Sequence, residues 1–134
     1  MITAVDTSVL LDVFAADPAH LHSSQRALRR ALQEGSLIMC EVVLAELRPC
    51  FPDRKSLAKT LKTLSIQYVP IPDESALLAG EIWAKYRAAG GKREHLIPDF
   101  LIAAHAKVTA DRLLTRDRGF YRSWFRGLRI LDPK

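Results

Sequence analysis

A chain of 134 residues with 49% apolar and 26% charged side chains suits a single domain over 1–134 with its own core. That excludes both disorder and a scaffold dependent on disulfide or metal staples. Twenty Lys and Arg against fifteen Asp and Glu leave a net charge of +5, a balance that favours a polyanionic partner, although basic surfaces also serve solubility alone. The N-terminus lacks a basic n-region, Asp6 and Asp12 break its apolar run, and no stretch of about 18 apolar residues occurs, so neither a signal peptide nor a membrane-spanning helix is expected and a cytoplasmic protein is.

In chain order, Ile2–Val5 reads as a first strand and Ser8–Ala15 as a short helix ended by the Asp17-Pro18 turn. His20–Gln33 sets Leu21, Leu28 and Leu32 on one helical stripe beside Arg26, Arg29 and Arg30, with Gly35 as the stop. Leu37–Cys40 is the second strand, Glu41–Arg48 a helix closed by Pro49, and Asp53 caps a further helix reaching Leu64. Ile66–Ile71 is a third strand, with Pro70 marking its end or an edge position. Asp73–Ala89 is a helix with acids in its first turn and Gly90-Gly91 behind it. Pro98 opens Asp99–Val108, a helix apolar enough to demand burial. Arg112–Thr115 and Leu128–Leu131 are fourth and fifth strands around a short aromatic helix near Phe120–Phe125. Cys40 and Cys50 have neither C-x-x-C spacing nor a His cluster and lie in apolar stretches, so both read as buried reduced thiols rather than zinc ligands.

Strands alternating with helices predict an α/β fold: a three-layer α/β/α sandwich around a central, mainly parallel sheet. Ligand sites in such folds lie beyond the carboxyl ends of the strands, and there the acids become informative. Asp6 closes the first strand and reads either as a helix cap or as a catalytic acid. Asp117 follows the fourth strand and reads either as a turn residue or as its partner. Asp99 opens the buried helix, where an acid commonly complements the dipole. Glu46 shares a helical face with Val42 and Val43, so it either runs to water or is held inward. If the four converge, each pair about 4 Å apart repels by roughly 4 kcal/mol at an effective dielectric of 20, and the cluster must take up a proton or a cation. Oxygen-only donors favour a hard ion, Mg²⁺ or Mn²⁺, and such an ion in an open acidic site suits phosphodiester hydrolysis. Seven cations stand between Arg112 and Lys134, and Arg116, Arg118 and Arg122 flank Asp117.

The segments Val5-Asp6-Thr7-Ser8, Val43-Leu44-Ala45-Glu46-Leu47, Pro98-Asp99-Phe100-Leu101-Ile102-Ala103-Ala104-His105-Ala106 and Leu113-Leu114-Thr115-Arg116-Asp117-Arg118-Gly119-Phe120-Tyr121 resemble the PIN-domain family. They do so in family order along essentially the whole chain, and the likeness is to its VapC-like toxin branch. The resemblance implies a PIN-like sandwich with acids at one sheet edge and Mg²⁺-dependent endoribonuclease activity, in which a metal-activated water hydrolyses RNA phosphodiesters. It further implies a homodimer and inhibition by a small VapB-like antitoxin. Carried over by position, Asp6, Glu46, Asp99 and Asp117 are the catalytic and metal-binding quartet. Ser8 and Thr115 support the site, and Arg116 and Arg118 position substrate. Ser8 stands where family members also carry Asn.

The other candidates have plainer readings. Asp12 reads as a solvated helix acid, His105 as a packed histidine, and His20, His22 and His95 as scattered. Trp83, Trp124, Phe120, Tyr121 and Phe125 read as packing residues rather than RNA-stacking platforms. A haloacid-dehalogenase-like phosphatase would need a second carboxylate where Ser8 stands, and a receiver domain would need an acid pair beside the first strand and a Lys after the last. The remaining alternative is a catalytically inactive PIN-like module that binds RNA or protein. It gains nothing from concentrated negative charge facing phosphates.

Overall fold

The structure, a computed structural model, describes residues 1–133. Thr3–Val5, Leu37–Met39 and Arg112–Leu114 are buried at every position, which requires cover on both faces of the sheet they form. Five strands make that sheet: β1 (Ile2–Val5), β2 (Ser36–Met39), β3 (Ile66–Tyr68), β4 (Arg112–Leu114) and β5 (Ile130–Leu131). Their order is β3-β2-β1-β4-β5 and every pairing is parallel. The expected three-layer α/β/α arrangement is thus present, with a wholly rather than mainly parallel sheet.

Helices α1 (Thr7–Phe14) and α2 (Leu21–Glu34) connect β1 to β2, and α3 (Glu41–Leu47) and α4 (Arg54–Thr63) connect β2 to β3. Helices α5 (Asp73–Ala88) and α6 (Ile97–Thr109) lead to β4, and α7 (Arg118–Trp124) leads to β5. Parallel crossovers are right-handed. The steps from β1 out to β3 therefore place α1–α4 over one face, and the return steps place α5–α7 over the other. The direction reverses between β1 and β4, whose register pairs Val5 with Leu114. That reversal opens a crevice at the carboxyl ends of these two strands.

Local chemistry sets several boundaries. Asp53 caps α4 through its side chain, which accepts the Ser56 N–H at 2.7 Å. Gly35 is needed for proximity: a Cβ there would collide with the Met1 backbone, and Ser36 N–H donates to Met1 O at 3.0 Å. Strand β3 ends at Tyr68; Val69 N–H makes one more bond to Met39 O before Pro70 removes the next donor.

Four expectations are corrected. Helix α6 starts at Ile97 rather than Asp99, because the Asp99 carboxylate accepts the Leu96 N–H and draws the preceding residues into the first turn. Helix α2 buries Ser24, Ala27, Leu28 and Ala31, leaving Leu32 exposed; the small side chains let the helix lie close, and Ser24 binds α1. Cys50 is exposed while Cys40 is buried, since Pro49 turns the end of α3 into a surface 3₁₀ turn over Arg48–Cys50. Asp12 is not solvated: it is 2% exposed, and its partners are described below. His105 is packed as expected, 1% exposed, with Nε2–H donating to Val69 O at 2.8 Å.

Candidate functional site

Asp6 leaves β1 and Thr115 leaves β4 side by side, with Asp6 N–H bonded to Leu114 O at 2.9 Å. The fully buried Thr115 hydroxyl donates to Asp6 Oδ2 at 2.7 Å and accepts the Asp117 N–H at 3.0 Å. One hydroxyl thereby fixes two acids across the strand junction. Ser8 donates to the same Asp6 oxygen at 3.2 Å. From the next strand, β2, the chain enters α3 and presents Glu46, whose Oε1 accepts the Thr7 hydroxyl at 2.7 Å. Asp99 occupies the first turn of α6 and binds Leu96 N–H through Oδ2 at 3.1 Å. Asp117 Oδ2 lies 2.8 Å from His95 Nε2, and the His95 ring stacks on Phe120 at 3.7 Å.

All four acids line one cleft of about 490 Å³, together with Thr7, Ser8, Arg116 and Tyr121. The Tyr121 hydroxyl registers their convergence: burial pushes it well above the usual tyrosine value, and the negative charges of Asp6, Asp99, Asp117 and Glu46 each push it further. Burial also raises the Asp6 carboxyl, against the lowering bonds from Thr115 and Ser8 and with Asp99 adding repulsion. Asp99 is raised first by burial, with Asp117 contributing, while the Leu96 bond and His95 oppose the rise. Repulsion links the acids in sequence across the cleft.

In every member of the quartet the bonds just described fall on one oxygen. The second oxygen, Asp6 Oδ1, Glu46 Oε2, Asp99 Oδ1 or Asp117 Oδ1, accepts no hydrogen bond from a described side chain. Oxygen-only donors of this kind are the type that could hold a hard divalent cation. Among the described residues, the group of three or more ligand-type atoms that lie within 4.8 Å of one another is that of Asp12, Asp17 and His20; the quartet's carboxylates are spaced more widely around the cleft. There Asp12 already binds a guanidinium through both oxygens, so a fixed cation occupies the position a metal would need.

The remaining expected residues separate. Arg116 borders the cleft. Arg118 lies outside its lining and pairs with Asp132 at 3.1 Å. Of the basic C-terminal stretch, Arg112, Arg116 and Arg118 are paired internally, Arg122, Arg126 and Arg129 are exposed, and Lys134 lies outside the described residues. Thr7, His95 and Tyr121 were missed as site residues. Thr7 sits beside Asp6 in sequence and carried a readable hint. His95 and Tyr121 carried none, because their roles depend on how the α5–α6 connection and α7 fold over the crevice. A larger groove of about 800 Å³ between α3 and α4, lined by Leu44, Leu57, Leu61 and Ile66 among others, holds none of the quartet.

Residues 3–123 match the PIN domain family, and the chain belongs to it. It is similar to Ribonuclease VapC21 of Mycobacterium tuberculosis, at 31% identity over 119 residues that cover 87% of this chain and 86% of that protein. Among solved structures, the fold matches VapBC2 from Rickettsia felis bound to a DNA fragment from their promoter, with a TM-score of 0.75, 19% identity and coverage of 100% of both chains. It also matches a toxin–antitoxin complex from Klebsiella pneumoniae, with a TM-score of 0.66, 18% identity and coverage of 98% of both chains. No helix among the described residues is long and apolar enough to cross a membrane.

Proposed function

We propose that this protein is a divalent-metal-dependent endoribonuclease, using Mg²⁺ or Mn²⁺, and that it is the toxin of a VapBC-type pair. The observation that carries the reading is the convergence of Asp6, Glu46, Asp99 and Asp117 on one cleft at the β1–β4 crevice. Membership of the PIN family and the likeness to Ribonuclease VapC21 support RNA as the substrate class. The VapBC and toxin–antitoxin structures that share the fold support a small VapB-like antitoxin as partner. A cytoplasmic homodimer completes the proposal.

When bound, the ion supplies Lewis acidity to the scissile phosphodiester and to the attacking water. The chain's own residues have distinct tasks. Asp6, Asp99 and Asp117, with Glu46, hold the cation and keep the cleft electronegative enough to retain it. Thr115 and Ser8 orient Asp6, and Thr115 also pins the backbone at Asp117. Thr7 holds Glu46 across the cleft. Tyr121 closes the floor with a phenol that stays protonated and so adds no further negative charge.

The test is incubation of purified protein with total RNA in Mg²⁺ and in excess chelator, alongside Asp99→Asn. Cleavage is expected in Mg²⁺ alone, and Asp99→Asn is expected to lower it by about three orders of magnitude, equivalent to roughly 4 kcal/mol of lost transition-state stabilisation. Chelator-resistant cleavage, or full activity in Asp99→Asn, overturns the mechanism.

A further inference from the structure

Asp12 lies outside the quartet, yet it is the most completely enclosed acid near the cleft, at 2% exposure. Its Oδ2 accepts Arg116 Nε at 2.8 Å and the Ser24 hydroxyl at 2.6 Å, and its Oδ1 accepts Arg116 Nη2 at 2.8 Å. This is a bidentate guanidinium–carboxylate fork, the geometry that fixes direction as well as distance. We infer that Asp12 is a positioning residue which holds Arg116 at the rim of the acidic cleft as a phosphate-docking fork for the polynucleotide backbone. The inference rests on the phosphodiesterase reading above.

Three observations carry it. Arg116 stands between Thr115 and Asp117 in the turn that leaves β4, so its guanidinium begins next to the quartet. A free arginine there would fall onto the cleft carboxylates, neutralise them and compete with a divalent ion. Asp12 prevents this because a carboxylate without access to water needs its counter-charge more than Glu46, Asp99 and Asp117, which keep access to water. The Asp12–Arg116 pair is neutral as a unit, so the quartet keeps its negative charge for the cation. Finally, the fork uses Nε and one hydrogen of Nη2; among the described residues, both Nη1 hydrogens and the second Nη2 hydrogen are unengaged. The Arg116 side chain is 34% exposed and lines the cleft. A donor face is therefore available where a phosphate must approach four acids.

Electrostatics alone predicts the opposite sign for one substitution, and that makes the inference testable. Asp12→Asn removes a negative charge beside the cleft and would, as a charge effect, strengthen RNA binding. As the loss of a positioning residue it weakens binding, because Arg116 is released. The measurement is binding of a labelled single-stranded RNA to Asp99→Asn protein, with and without Asp12→Asn and Arg116→Gln, across a salt series. It is paired with cleavage rates and melting temperatures in the Asp99 background. Both substitutions are expected to weaken RNA binding, and Arg116→Gln to lower the salt slope by about 0.7 for one lost phosphate contact. In cleavage each single variant falls by about 10²-fold. The double variant Asp12→Asn/Arg116→Gln recovers the melting temperature lost by Arg116→Gln, which alone leaves the buried Asp12 without its counter-charge, but its cleavage stays low. Tighter RNA binding by Asp12→Asn, or a double variant that cleaves like the parent, overturns the inference. Binding that follows the expected order in a protein whose parent never cleaves RNA would sink the nuclease reading while upholding the role of the fork.

Discussion

Asp6 is a buried carboxyl, 7% exposed, with hydroxyl donors on its Oδ2. Burial first, then repulsion from Asp99, raises its folded pKa above the reference value of 3.8. The native state therefore holds this proton to higher pH than the unfolded chain, and stability is lost as pH rises from about 4 through the raised value. Metal-free protein carries the full penalty once the pH lies above the raised value. Asp6→Asn is expected to raise the melting temperature in chelator at pH 7, and the gain should close below about pH 4, where Asp6 is protonated in both states. A variant no more stable than the parent at pH 7 would show that Thr115 and Ser8 already compensate the charge. At this scale the quartet was readable because strand-end acids and an acid opening a buried helix are local patterns. Asp12 was not readable. Its burial depends on Arg116, more than a hundred residues away in sequence, and on Ser24 turning inward.

Helix α6 links the site to the rest of the domain. Its apolar face, Phe100 and Ile102–Ala106, is buried, and its first turn delivers Asp99 while its third turn delivers His105 to Val69 O just beyond β3. Burial lowers the His105 pKa below 6.5, opposed by the Val69 bond and by Glu41. A buried neutral histidine contributes stability that is present above the unfolded value and lost as pH falls below it. The His105 contribution to stability is thus expected to be lost as pH falls below about 6.5, opposite in sign to that of Asp6. His105→Gln, which keeps a donor for Val69 O, should flatten that dependence by removing the titrating ring. An unchanged slope would assign the pH dependence elsewhere. Element types were legible throughout, because apolar runs and 3.6-residue periodicity are local. Boundaries shifted where side chains intervened: the Asp99 bond extended α6, and the Ser24 contact turned the buried face of α2 away from Leu32.

For the whole molecule, strand order decides where chemistry can occur. The reversal between β1 and β4 gathers residues from both ends of the chain, 109 positions apart in the Thr115–Asp6 bond. A parallel sheet was expected from the alternation of strands and helices, but alternation does not specify which strand lies beside which. The net charge of +5 was a weaker guide. Three of the C-terminal arginines pair with acids of the same chain, so the excess overstates the free positive surface.

Titration of metal-free protein with Mn²⁺ by calorimetry tests the central claim most directly, using the parent, Asp99→Asn and Asp17→Asn. Uptake by the parent is expected, with a matching rise in melting temperature, about 2.7 kcal/mol of stabilisation at a hundredfold excess over Kd. Uptake should vanish in Asp99→Asn and persist in Asp17→Asn. No uptake by the parent, or loss of uptake in Asp17→Asn alone, would contradict that claim.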